Sequence, residues 1–165
     1  MRVFGIAGFK NAGKTTLVVE LLQELGRRGL RVATVKHAHH AFDIDHPGKD
    51  SFEHRAAGAC EVIVASARRF AHIRELDGQR EPELGDLLAQ LGTVDLVLVE
   101  GYKHGSHPKL ELRRDGVPAR RLAPADSSVK AIVADFDLQE TGLAVLRRDD
   151  VAAIADFVLA HAAPL

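Results

Sequence analysis

The sequence predicts an α/β fold: a mostly parallel sheet with helices on both faces and some antiparallel edge strands, in a single domain over residues 1–165. Three observations predict it. Short apolar runs alternate with amphipathic stretches through most of the chain. The first apolar run ends in a glycine-rich loop that opens directly onto a helical stripe. A second apolar run follows Gly29, so the chain opens as strand, helix, strand with short connections, the right-handed crossover unit of a parallel sheet.

Residues 3–7 are short and apolar and read as a buried strand. Over residues 14–28, Leu17, Val18, Leu21, Leu22 and Leu25 share one helical face, with Arg27 and Arg28 at the negative end of the dipole and Gly29 as the stop. Residues 30–35 give the second strand. Residues 36–50 are polar and histidine-rich and read as a loop. Asp50 or Ser51 caps a short helix through Ala59. Residues 61–65 and 69–76 read as partner strands, the second antiparallel. Pro82 opens a helix through Leu91. Residues 95–100 form a buried strand that stops at Gly101. Residues 109–113 read as an edge strand before an Asp115-Gly116 turn. Residues 114–128 read as exposed and mobile. Residues 131–134 and 143–146 are two more strands. Asp149 or Asp150 caps a last helix with Val151, Ile154, Ala155, Val158 and Leu159 on its apolar face.

The composition excludes several classes of protein. Apolar residues make up 46% of the chain, too many for a disordered one. A net charge of −1 does not suit a protein that grips nucleic acid, which needs a basic face. One cysteine, Cys60, rules out an internal disulfide framework and reads as a small core residue. No run approaches the ~20 apolar residues of a membrane span, and no signal peptide is visible, so a cytoplasmic protein is expected.

Gly8-Phe9-Lys10-Asn11-Ala12-Gly13-Lys14-Thr15 matches the phosphate-loop pattern G-x-x-x-x-G-K-[ST] at every fixed position. Its preceding strand and following helix are the context the pattern requires. The fold is therefore expected to be of the phosphate-loop NTPase type. The glycines let backbone N–H groups face phosphate oxygens, with Gly8, Asn11, Ala12, Gly13, Lys14, Thr15 and Thr16 around the phosphates. Lys14 supplies a compact charge, and the Thr15 hydroxyl a ligand for Mg2+. Such a loop needs a carboxylate near the metal from the end of another buried strand, and Glu100 fits.

Five histidines lie between positions 37 and 54, and Asp43, Asp45 and Asp50 lie in or just after the loop that follows the second strand. Three readings stand side by side: a polar loop with satisfied histidines, a metal site, and a loop that senses the triphosphate through an aspartate at the magnesium.

Other residues are more distinctive. The run from Lys36-His37-Ala38-His39-His40 to Gly48-Lys49-Asp50-Ser51, then Ala57-Gly58-Ala59, then Val99-Glu100-Gly101-Tyr102-Lys103 followed by Pro108-Lys109, together with residues 8–16, resembles the MobB family of molybdopterin-guanine dinucleotide biosynthesis adaptor proteins. The resemblance covers nearly the whole chain and is strongest at residues 3–59 and 95–113. It implies a homodimer that binds GTP with Mg2+ and is at most a weak GTPase. It also implies a partner, the MobA-type guanylyltransferase that joins GMP to molybdopterin. By the same resemblance Glu100 and one of Asp43 and Asp45 serve magnesium, with Asp45 preferred.

The chain departs from other GTPases in lacking N-K-x-D, and offers Ala134-Asp135 after a late strand as the place for a guanine acceptor. Lys103, Lys109, Arg113, Arg114, Arg120 and Arg121 are candidates to engage the phosphate of a pterin, or else form a solvated basic face. Two other functions remain open. A metallochaperone GTPase would use the histidines, although no cysteine accompanies them. A small-molecule kinase would show turnover that depends on an acceptor.

Overall fold

The structure, a computed structural model, describes residues 1–38, 42–117, 121–139 and 142–165. In chain order its elements are β1 (Arg2–Ala7), α1 (Lys14–Arg27), β2 (Val32–Lys36), α2 (Asp50–Ala56), β3 (Glu61–Ala65), β4 (Phe70–Arg74), α3 (Leu84–Leu88), β5 (Leu96–Glu100), β6 (Lys109–Arg113), β7 (Val129–Ala134), β8 (Ala144–Arg147), α4 (Val151–His161) and β9 (Ala163–Pro164). They fall into two compact units, Met1–His37 with Leu84–Leu165, and Ala38–Glu83.

The larger unit is an α/β sheet in the order β2-β5-β1-β6-β7-β8, parallel throughout. β9 adds an antiparallel pairing to the first residues of β1, Arg2 to Pro164 and Val3 to Ala163, while β6 takes Gly5 to Ala7. Strand side chains alternate between faces. Phe4, Ile6, Leu96, Leu98, Leu110, Leu112 and Val133 pack against α1 through Leu17, Leu21 and Leu25, and against α4 through Ile154 and Val158. Val3, Val35, Val97 and Val99 pack against Leu84, Leu87 and Leu88 of α3. Helices thus cover both faces, as the alternation predicts.

The smaller unit holds α2 and the antiparallel hairpin β3-β4, registered from Glu61 opposite Arg74 to Ala65 opposite Phe70. Ile63, Val64 and Phe70 of the hairpin are exposed. So is Cys60, which the sequence reading places in a core. Within this unit α2 packs against β3 and Val62 is buried, but two strands and one short helix are too small a layer to enclose Cys60.

The strand at Lys109–Arg113 corrects the reading of an edge. β6 lies between β1 and β7, and Lys109 and Glu111 are 0% and 1% exposed. Its alternating charges are paired inside the protein. The Lys109 ammonium donates to Gly105 O at 2.5 Å and Asp126 Oδ2 at 3.1 Å, and also to the Ser128 hydroxyl. Glu111 accepts from the backbone N–H groups of Leu122 and Ala123 and pairs with Arg113. The same carboxylate holds residues 122 and 123 in a buried cluster with Ala7 and Ile132, inside the stretch expected to be exposed and mobile. The helix expected from Pro82 to Leu91 is only Leu84–Leu88, since Gly85 weakens its start.

Candidate functional site

The glycine-rich loop leaves the C-terminal end of β1, the strand flanked by β5 and β6. Its backbone is left-handed at Asn11 (φ 66°) and Gly13 (φ 89°), and Gly8 takes φ 146°. A Cβ on Gly8 would lie 2.7 Å from Leu112 O, so β6 admits no side chain there. Gly13 is the N-cap of α1 and supplies no capping side chain. No acidic side chain sits in the first turn either. The N–H groups of that turn therefore face outward as ready donors for an anion.

Lys14 is half-buried, and its ammonium donates to Phe9 O at 2.9 Å. Burial lowers its pKa, Glu100 opposes that shift, and Lys36 and Lys103 add to it. Thr15 and Glu100, far apart in sequence, meet: the hydroxyl donates to Glu100 Oε1 at 2.8 Å. Sheet register explains the meeting. Glu100 ends β5 opposite Ile6 of β1, two residues before the loop begins at Gly8. One hydroxyl and one carboxylate, with Glu100 only 8% exposed, are oxygen donors suited to a hard divalent ion. Thr16, with Ala12 and Gly13, lines a neighbouring cleft of about 580 Å³ that runs to Asp135, Phe136 and Asp137.

The sequence reading missed Lys36. In β2 it is registered opposite Glu100, and its ammonium stands 3.5 Å from both Glu100 Oε1 and Thr15 Oγ1. Lys103, read only as a basic-face residue, stands over the Phe9 ring at 5.1 Å. Lys14, Lys36 and Lys103 thus gather around one loop. After Glu100, Gly101 (φ 93°) is forced by His37: an added Cβ would lie 3.0 Å from the His37 Cβ. His37 donates its backbone N–H to Glu100 O at 3.0 Å and its ring packs on Tyr102.

Asp45 belongs to the smaller unit. Its Oδ1 accepts from the His46 N–H and the Ser51 hydroxyl, while Oδ2 is buried and lies 3.7 Å from Arg55 Nη1, an ion pair longer than a hydrogen bond. Asp43 forms a two-bond pair with Arg55. Asp50 begins α2. His39, His40 and Arg120 lie outside the described residues. Among the described residues, no three His, Cys, Asp or Glu side chains gather as a metal cluster. No helix there is long and apolar enough to cross a membrane. Of the proposed pterin-phosphate cations, Lys109 and Arg113 are spent on Asp126 and Glu111 in the interior. Arg114 remains more than half exposed, beside Asp135. Asp135, the expected guanine acceptor, already accepts from the Asp115 N–H at 2.9 Å.

Residues 3–135 match the family model of MobB, described as molybdopterin guanine dinucleotide synthesis protein B. The chain is 41% identical over 160 residues to the molybdopterin-guanine dinucleotide biosynthesis adapter protein of Escherichia coli K12, covering 95% of this chain and 91% of that protein. It is 37% identical to the protein of the same name from Haemophilus influenzae, covering 94% and 86%. The crystal structure of Bacillus subtilis MobB superposes with a TM-score of 0.77 at 26% identity over the whole of both chains.

Proposed function

The chain belongs to the MobB family, and from that premise we propose that it is a GTP-binding adaptor in molybdenum cofactor biosynthesis, assisting the MobA-type guanylyltransferase that forms molybdopterin guanine dinucleotide. The observation that carries the nucleotide part is the convergence of Lys14, Thr15 and Glu100 at the loop after β1. In this reading the backbone from Gly8 to Gly13 and the first-turn N–H groups of α1 cradle the phosphates, and Lys14 leaves Phe9 O to reach the outer ones. Thr16 lies under the inner phosphate. Thr15 and Glu100 hold the magnesium, whose charge joins the triphosphate to the carboxylate. Asp45 is the candidate third oxygen by family resemblance, and its Oδ2 would exchange the Arg55 charge for that of the metal.

The 165 residues act as one nucleotide-binding domain in this reading, since the family match runs through both units. It also has the protein act as a homodimer in the cytoplasm. Exposed Ile63 and Phe70, on the same face of the hairpin, support a dimer, because exposed apolar side chains grouped on one face mark an interaction surface. Hydrolysis is weak at most, in keeping with relatives called adapters. Molybdopterin is proposed to reach the partner, with Arg114, more than half exposed beside Asp135, as a cation for it on this chain.

The test is calorimetry with Mg·GTP on the wild type, followed by affinity capture in its presence. Tight binding with recovery of the guanylyltransferase is expected. No binding, or rapid GTP turnover without a partner, would remove the adaptor reading.

A further inference from the structure

We infer that the cleft beside the glycine-rich loop is a purine-base pocket in which Asp137, not Asp135, selects guanine. The inference rests on the nucleotide reading above and names the residue that gives it base specificity.

The cleft begins at Thr16, in the first turn of α1, and ends at Asp135, Phe136 and Asp137 beyond β7 and at Arg148 beyond β8. A triphosphate seated on the loop leads its nucleoside out past that first turn, so the base arrives at the far end. Phe136 lines this end and is 37% exposed, a flat apolar face without cover, which suits a purine.

Guanine presents two donors side by side, N1–H and the 2-amino group. A carboxylate with both oxygens open accepts both. Adenine shows a bare ring nitrogen at the same edge and would meet the carboxylate as a second acceptor.

Four carboxylates line the cleft, and three are engaged. Asp135 Oδ1 accepts from the Asp115 N–H at 2.9 Å, and Oδ2 lies 3.6 Å from Arg114 Nε, so this residue latches the chain after β6 to the end of β7. Asp149 gives both oxygens to Arg147, at 3.0 and 2.8 Å. Glu20 pairs with Arg148 at 2.6 Å. Asp137 alone of the four has neither a hydrogen bond nor an ion pair within 4 Å among the described residues; it is exposed, with the Arg147 charge acting on it only through space. The sequence pointed two residues too early because Asp135 directly follows β7; only the latch to Asp115 separates the two roles.

The experiment measures GTP, XTP and ATP affinities by calorimetry at fixed magnesium for the wild type, Asp137→Asn and Asp135→Asn. Xanthine carries a carbonyl where guanine carries the amino group, so an amide at position 137 can donate to it. Asp137→Asn is expected to bind GTP at least tenfold more weakly and to gain XTP affinity, with an unchanged thermal midpoint. Asp135→Asn should lower the midpoint without exchanging the base preference. Unaltered GTP-over-XTP preference in Asp137→Asn, or an exchange in Asp135→Asn, overturns the assignment while leaving the nucleotide reading in place. A wild type that binds no nucleoside triphosphate removes both.

Discussion

The Thr15 hydroxyl donates to Glu100 Oε1 at 2.8 Å, joining the end of the glycine-rich loop to the end of the neighbouring strand. Glu100→Gln keeps the shape and an acceptor oxygen but loses the charge. It is expected to raise the magnesium concentration needed for half-maximal GTP binding by about tenfold, within the range for altered metal sites. Affinity at saturating magnesium should change less. A magnesium titration at fixed GTP reads this, and an unshifted curve would make Glu100 a scaffold residue.

Lys36 stands 3.5 Å from both of those oxygens and acts as a tethered counter-ion for Glu100. Its side chain is 58% exposed, so the effect is modest. Lys36→Met should bind Mn2+ without nucleotide several-fold more tightly than the wild type, followed by electron paramagnetic resonance. Equal affinities would show that the ammonium does not guard the site.

Lys14→Ala should reduce GTP affinity by about a hundredfold or more while the fold persists. Within the protein it gives up one hydrogen bond, to Phe9 O, worth about 1 kcal/mol. Burial lowers the Lys14 pKa, so wild-type affinity should fall as pH rises through a value below that of an ordinary lysine. Calorimetry across alkaline pH checks both statements.

His107 is half-buried, with Nε2 close to Gly5, and burial pushes its pKa down to about 4, with Lys109 adding to the shift. Its folded pKa lies below the unfolded 6.5, so the unfolded chain binds the extra proton first. The neutral ring therefore contributes stability above pH 6.5 that is lost as pH falls toward 4. After allowing for solvent screening, this amounts to about 1 kcal/mol. Urea unfolding of His107→Leu should show a flatter acid limb over that window, and an identical limb would place the acid sensitivity elsewhere.

Glu111→Ala should cost about 3–5 kcal/mol, because it removes the carboxylate paired with Arg113 and leaves two buried N–H groups without their acceptor. Urea denaturation measures it. A loss under 1 kcal/mol would mean that residues 122 and 123 hold their place by apolar packing alone.

Local pattern decided what the sequence could show. The loop from Gly8 to Thr15 and the buried strand ending in Glu100 were legible because the chemistry there is written in adjacent residues. Lys36 was not, since its role comes from register: β2 lies next to β5, and no motif states which strand end faces which. The β6 charges misled for the opposite reason. Alternation normally marks a solvated face, but Lys109 and Glu111 find their partners at Asp126, Leu122 and Ala123, beyond the reach of any periodicity. The Asp135 contact to Asp115 was beyond reach in the same way, since it joins two strand ends.

β1 has its pairing partners at residues 96–100, 109–111 and 163–164. The strand that carries the glycine-rich loop is thus held by partners far apart along the chain. Chain closure over such separations is slow. The loop therefore takes its shape from contacts of high sequence separation, although its own pattern is written in eight adjacent residues.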